Sequence, residues 1–394
     1  MLIKKSNVLE RQLSAGVGVC CEASRRKTSG ARRLGGEKER KQQMTLEELK
    51  IRQLTNQYLI TQSDKITVVR DLLGVQAQFL VNALHSLKIR CYDYDDTNVS
   101  DGLVKNWSVR GTVHVLAEDD LPLFKHCDDG KNYRMDEWRG YLIWQRPDGT
   151  YNYWDDGGCK RVWSLTPERQ KYFSHIILDA VSDSIKTRDE LKEICSRYGM
   201  TEIERDSMFD QWGGGIRDLC ERGYMNYFVQ EKKAYCLCPP FKPIPEKEAK
   251  RIMSERYFTN IGPATVRDAA YFFGTTQTQV KMWLDELPVS TAVIDGKTYF
   301  YIENGKKYNK PIPECILLSG FDQLMLGYQK KESIYLKQEH LRGIFNLAGI
   351  VMPSILLRGN VVGKWQKKKG KLTFTLFENI SKSEMMLISN KAES

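Results

Sequence analysis

Apolar residues recur at helical spacing over residues 168–185, with Phe173, Ile176, Ile177, Ala180 and Val181 on one face, which predicts an amphipathic helix. A short helix is expected over 189–198, closed by Gly199, and a longer one over 202–222, closed by Gly223. From Tyr224 to Val229 the period drops from helical spacing to alternation. A charged turn (Glu231, Lys232, Lys233) then leads into Ala234, Tyr235, Cys236 and Leu237, which read as the second strand of a hairpin. Helices followed by a hairpin are the pattern of a winged helix-turn-helix.

The pattern recurs on either side. Downstream, helices are expected over 246–259, 266–273 and 278–287, with Pro263 in the first turn of the second and Gly274 ending it. Asp295-Gly296 between alternating runs 289–294 and 297–302 predicts a hairpin. Upstream, helices are expected over 45–59, 64–73 and 76–90, with strands at 107–110 and 112–116. The last segment differs: a buried strand near 315–318, then runs at 355–358, 361–365 and 371–377 joined by the turns Gly359-Asn360 and 366–370 predict a small antiparallel sheet. The expected fold class is α+β: three tandem winged helix-turn-helix units and a C-terminal β-rich unit. The expected boundaries are a basic tail or upstream extension over 1–43, a first unit with an insertion over 44–164, then 165–240, 241–309 and 310–394. Chains built from several such units most often handle nucleic acid.

Charge changes that picture in one respect. Residues 1–43 hold 11 basic and 4 acidic residues, so most of the chain's net +10 lies there and the rest is nearly balanced. Any DNA-binding surface in the body must then come from local segregation of charge. The densest basic cluster in the body is Lys364, Lys367, Lys368 and Lys369, followed by Lys371, and it reads either as a phosphate-gripping hairpin or as a solvated tip. The ten cysteines show no paired C-x-x-C spacing; Cys236 and Cys238 suit two half-buried thiols better than half a metal site. No metal or cofactor is expected. No apolar run is long enough to span a membrane, and a cytoplasmic, nucleoid-associated monomer is expected.

Gly74-Val75-Gln76-Ala77-Gln78 is the candidate for chemistry. In a formed helix two residues that far apart point away from each other, but with Gln76 still extended ahead of the helix both carboxamides can face one side. Each offers an acceptor oxygen and two donor hydrogens and can orient a water without titrating. Glutamines at a helix start are common, so physics alone leaves a structural role open.

That segment, with Arg90 beyond it, resembles the Gln-x-Gln signature of the winged-helix DNA glycosylases of the AlkZ/YcaQ type. Four further stretches agree in order: Arg110-Gly111-Thr112-Val113-His114; Gly262-Pro263-Ala264-Thr265-Val266-Arg267-Asp268; Leu318-Ser319-Gly320-Phe321-Asp322 with Leu326-Gly327-Tyr328; and Pro353-Ser354-Ile355-Leu356-Leu357 with Gly359 and Val362-Gly363-Lys364-Trp365. The resemblance runs from about 45 to 377. Ser319-Gly320 departs from the family's usual Pro-Ala, and Gly327-Tyr328-Gln329-Lys330 lacks its usual acidic-basic pair.

The resemblance implies a monofunctional DNA glycosylase acting on double-stranded DNA with bulky N7-alkylated purines, and on interstrand crosslinks, with Gln76 and Gln78 holding the water. A Schiff-base lyase is disfavoured because Lys65 and Lys88 are the nearest lysines along the chain. Arg110 and His114, four apart in a strand, read as a phosphate contact and a pocket side chain, or as a structural Arg and a satisfied buried His. Thr265 and Arg267 read as a phosphate site at a helix start or as a cap. Asp322 either shapes the site or caps a turn. The alternative function is a non-catalytic winged-helix DNA-binding regulator.

Overall fold

The computed structural model describes residues 42–108, 111–125, 144–145, 151–154, 160–210, 214–230, 232–242 and 244–393. Strand β1 (Gln42–Gln43) pairs in parallel with residues 292–293, so the last residues assigned to the tail join the folded body. Helix α1 (Leu46–Asn56) starts at a capping box in which Thr45 and Glu48 bond each other's backbone amides. Helix α2 (Lys65–Asp71) is capped by Asp64, and Leu73 and Gly74 then take left-handed conformations that turn the chain into β2 (Val75–Gln76).

The helix expected from residue 76 starts later, as α3 (Leu80–Lys88), because 75–77 are held in a ladder. The Ala77 N–H donates to the Val113 carbonyl at 2.8 Å. The first hairpin is β3 (Leu103–Trp107) and β4 (Val113–Ala117), with the turn at 108–112. Arg110 lies outside the described residues, and β4 begins at Val113, so the premise of one strand carrying positions 110 and 114 does not hold. After α4 (Leu121–Phe124), strands β5 (Trp144–Gln145), β6 (Tyr151–Trp154) and β7 (Lys160–Trp163) form a separate antiparallel sheet that periodicity did not reveal.

Next come α5 (Pro167–Asp183), β8 (Lys186–Thr187), α6 (Arg188–Arg197), α7 (Glu202–Met208), α8 (Gly214–Glu221), β9 (Met225–Tyr227) and β10 (Ala234–Leu237). The long helix expected over 202–222 is two helices. At Gly214, with φ +48°, a Cβ would stand 2.5 Å from the Ser207 carbonyl oxygen, so the chain doubles back where the helix was expected to continue. The hairpins of the first two units are also not separate. Lys105 of β3 pairs with Tyr227 of β9, giving one six-stranded sheet in the order β2-β4-β3-β9-β10-β8.

Helix α9 (Glu246–Arg256) continues through a π-type segment over 257–261. Helix α10 (Val266–Phe273) begins at a Thr265–Asp268 capping box and ends at left-handed Gly274. Pro263 stands before that cap, outside the expected first turn, and its carbonyl accepts from Gln53 Nε2 at 2.6 Å. Helix α11 (Gln277–Asp285) leads to β11 (Ser290–Ile294) and β12 (Lys297–Tyr301), joined by Asp295-Gly296 with both φ positive, as a tight hairpin demands.

The last segment forms β13 (Cys315–Leu317), α12 (Gln323–Leu326), α13 (Leu341–Ile344), β14 (Ser354–Leu357), β15 (Asn360–Lys368), β16 (Lys371–Leu376) and α14 (Lys382–Glu393). Its four strands are antiparallel in chain order. Strand β15 runs through most of the expected basic turn, leaving Lys369-Gly370 at the bend. Helix α14, not anticipated from the sequence, covers one face with Ile388 fully buried. The main core crosses the expected unit boundaries: Leu54 and Leu73 pack with Phe258, Phe272, Leu318 and Phe321. The fold is mixed α+β, with helices packed around several small sheets.

Candidate active site

Gln76 ends β2 and Gln78 lies in the run between β2 and α3. What brings β2 so close to β4 is Gly74. With φ +92°, a Cβ there would sit 2.6 Å from Leu116 Cδ2 and 3.1 Å from the Val115 carbonyl oxygen, so only glycine fits. The two glutamines differ in environment. Gln76 is buried and makes no side-chain hydrogen bond among the described residues, whereas Gln78 is exposed.

Gln76 stands opposite His114, and His114 opposite Asn106. The Lys105–Tyr227 pairing extends that register to Asn226, and Asn106 Nδ2 donates to Asn226 Oδ1 at 2.5 Å. The result is a row of buried polar side chains across four strands. His114 Nδ1 lies 2.9 Å from the Thr112 carbonyl and 2.8 Å from Ser108 Oγ. A carbonyl only accepts, so Nδ1 carries the proton. Sequence reasoning missed Asn106 and Asn226. The signal was there, since asparagine is disfavoured at mid-strand and each sits between strand residues.

A cavity of about 390 Å³ opens on the other face of this sheet, where Trp107, Val113 and Tyr227 alternate with Asn106, His114 and Asn226; Gln78, Trp107, Tyr227 and Tyr235 stand in its lining, and Gln76 and His114 do not. Lys105, Lys233 and Arg188 also line it, and no carboxylate does among the described residues. Burial, and then the charge of Lys233, push Lys105 down to about 8. Lys233 is itself lowered by burial and by Arg188. Lys105 Nζ donates to the Gln230 carbonyl at 3.5 Å and lies 5.9 Å from the centre of the Tyr227 ring, and Arg188 donates to the carbonyls of Phe209 and Asp210. The expectation that no lysine approaches the Gln-x-Gln segment is therefore corrected. Sheet pairing brings Lys105 and Lys233 to the cavity that Gln78 lines, although both are remote along the chain.

Arg90 and Asp322 are fully buried and bound to each other at 2.7 and 2.9 Å. The remaining Arg90 donors reach the carbonyls of Gln57 and Ser86 and the Ser86 hydroxyl. Asp322 also accepts from the Leu324 amide, capping α12. Burial alone would raise its pKa, but Arg90 outweighs that and holds it below the usual carboxylate range. Asp322 thus ties α3 to the C-terminal segment and does not line the cavity.

The Thr265 hydroxyl is engaged with Asp268 at the start of α10, and Arg267 pairs with Glu332 at 2.6 Å. Lys297 holds the same carboxylate at 3.0 Å. Lys364, Lys367 and Lys369 lie along the β15–β16 hairpin, none with an ion pair among the described residues; Lys364 and Lys367, three apart in a strand, occupy opposite faces. The side chain of Lys368 is outside the described set. Among the described residues no group of three or more His, Cys, Asp or Glu is placed to hold a metal, and no helix is long and apolar enough to cross a membrane.

Comparison with known proteins bears on this geometry. The family model described as DNA glycosylase AlkZ-like matches residues 208–393, a span that excludes Gln76 and Gln78. An interstrand DNA cross-link repair glycosylase of Streptomyces sahachiroi is 23% identical over 356 residues, covering 84% of this chain and 90% of the relative. The solved structure of Streptomyces sahachiroi DNA glycosylase AlkZ superimposes with a TM-score of 0.65 at 21% identity, over 89% of this chain and 95% of that one, and shows a shared fold. The chain is thus related to the AlkZ-like DNA glycosylases, in sequence over 208–393 and in fold over most of its length.

Proposed function

We propose that this protein is a monofunctional DNA glycosylase that hydrolyses the N-glycosidic bond of bulky N7-alkylated purines in duplex DNA and unhooks interstrand crosslinks. The observation that carries it is the Gln-x-Gln segment: one carboxamide is buried beside His114 and the other lies on a cation-lined cavity. Relatedness to a cross-link repair glycosylase supports the substrate class. The expected setting is a cytoplasmic, nucleoid-associated monomer.

Alkylation at N7 gives the base a positive charge and makes it a good leaving group, so no strong acid is required of the protein. What remains is to shelter an oxocarbenium-like sugar and to deliver water to the anomeric carbon. Two neutral amides do this by position and partial charge, because an amide is no Brønsted base at any working pH. His114, cross-strand neighbour of Gln76 and with its Nδ1 committed to a carbonyl, is assigned no acid role. Arg110, Thr265, Arg267 and the hairpin lysines remain candidate DNA contacts, Thr265 and Arg267 the weakest because both are already engaged within the fold.

The test is release of free N7-methylguanine from alkylated duplex under single-turnover conditions. Gln76→Ala or Gln78→Ala should slow release by about 10²–10³-fold, the usual cost of removing one preorganised donor from the transition state, with duplex affinity nearly unchanged. Equal rates in wild type and both variants would remove the assignment. Binding without any release by the wild type would favour a DNA-binding regulator.

A further inference from the structure

The cavity between the first two expected units presents three cations and four aromatic rings, and no carboxylate among the described residues lines it. Cations on a protein surface are normally answered by acidic neighbours, as Arg267 and Lys297 are answered by Glu332. Here they are not. Lys105, Lys233 and Arg188 lie close enough to oppose one another's charge. Among the described residues Arg188 donates only to backbone carbonyls, and its Nε is buried without a partner. Such an arrangement has electrostatic cost unless an anion enters to relieve it.

The walls specify what kind of anion. Trp107, Tyr227 and Tyr235 stand in successive paired strands at the cavity wall, the two tyrosines largely buried with ring centroids 5.1 Å apart and Arg217 over the Trp107 ring, while the exposed ring of Phe79 adds open apolar surface. Aromatic rings beside cations are the combination that holds a nucleobase and its phosphate together. The volume of about 390 Å³ accepts one such unit and not a duplex.

We propose that this cavity is a binding site for a single nucleoside monophosphate unit, with the base against the aromatic wall and the phosphate on Lys105, Lys233 and Arg188. The unit has two sources: a free nucleotide, or a nucleotide rolled out of a DNA strand. The second source rests on the glycosylase reading, because Gln78 lines the same cavity; the first does not.

The experiment is calorimetric titration of the full chain at pH 7 with dGMP, with deoxyguanosine, and with two otherwise identical duplexes, one carrying a single unpaired nucleotide. dGMP should bind more tightly than deoxyguanosine. Lys233→Glu, a change on an exposed turn, should weaken dGMP about tenfold or more, the scale of one charge-assisted bond, and leave deoxyguanosine unchanged. Lys105→Gln with Lys233→Gln should weaken it further, with thermal melting as the control for folding. In the wild type dGMP affinity should fall as pH rises through about 8, where Lys105 loses its charge, and this fall should vanish in Lys105→Gln. Tighter binding of the unpaired duplex that Lys233→Glu abolishes assigns the DNA source, and Lys233-dependent dGMP binding alone assigns the free nucleotide. Equal binding of dGMP and deoxyguanosine, or dGMP binding indifferent to Lys233→Glu, overturns the site. Base release lost in Gln78→Ala but normal in the double lysine variant would overturn the cavity and spare the glycosylase; no base release in the wild type would do the reverse.

Discussion

Two basic regions of this protein handle charge in opposite ways. At the start of α10, Arg267 and Lys297 share Glu332, the Thr265 amide donates to Asp268 and the Asp268 amide to the Thr265 hydroxyl. Around the cavity beside Gln78, Lys105 and Lys233 have no acidic partner among the described residues; burial, and then Lys233, lowers the pKa of Lys105, and burial, and then Arg188, lowers that of Lys233. Both look alike as letters. Only the second has charge left over for a ligand, and that distinction depends on neighbours supplied by distant parts of the chain.

The contrast can be broken most severely at the pair where neutralisation is complete. Arg90→Met should leave Asp322 buried and unpaired and destabilise the fold by about 3–5 kcal/mol, read as a lower denaturant midpoint; a change below about 1 kcal/mol would mean that the pair contributes little to stability. The hairpin tests whether unpaired charge always serves binding. Replacing Lys364, Lys367, Lys368 and Lys369 by Gln should weaken all duplexes alike and flatten the log affinity versus log salt slope by about 0.9 for each phosphate no longer neutralised, and an unaltered slope would make the cluster a solvated tip.

Lys105 sharpens the comparison through pH. Its folded pKa of about 8 lies below the ordinary 10.5, so over that interval the unfolded chain binds more protons. Stability should then rise from pH 7.5 to 9.5 by on the order of 1 kcal/mol. Lys105→Gln should lose that rise, and an identical pH profile in the variant would show that Lys105 is not depressed. Arg267→Ala should do least, changing stability by about 0–1 kcal/mol and leaving the salt slope of DNA binding as it was. A flattened slope would show that Glu332 gives up Arg267 to DNA.

Where local chemistry decides structure, the sequence was readable. Thr265 with Asp268, Gly274 at the far end of α10, and Asp295-Gly296 between alternating strands each lie where their side chains dictate. Gln76 is extended ahead of its helix, as the sequence reading expected. What escaped was non-local. No periodicity announces that Lys105 pairs with Tyr227 or that Asn106 meets Asn226, because strand pairing across separate hairpins leaves no mark in either one. The break between α7 and α8 escaped for a different reason. The close pass at Gly214 is a tertiary feature, and helical spacing read across it looked continuous.

The six-stranded sheet also limits how this protein can be taken apart. The repeat invites a cut near residue 165, yet that cut would strip β9 of its neighbour β3 and leave each fragment with a raw strand edge. Edges of that kind recruit other chains. The first two expected units therefore share one sheet, joined where Lys105 pairs with Tyr227, and neither keeps its strand order intact without the other.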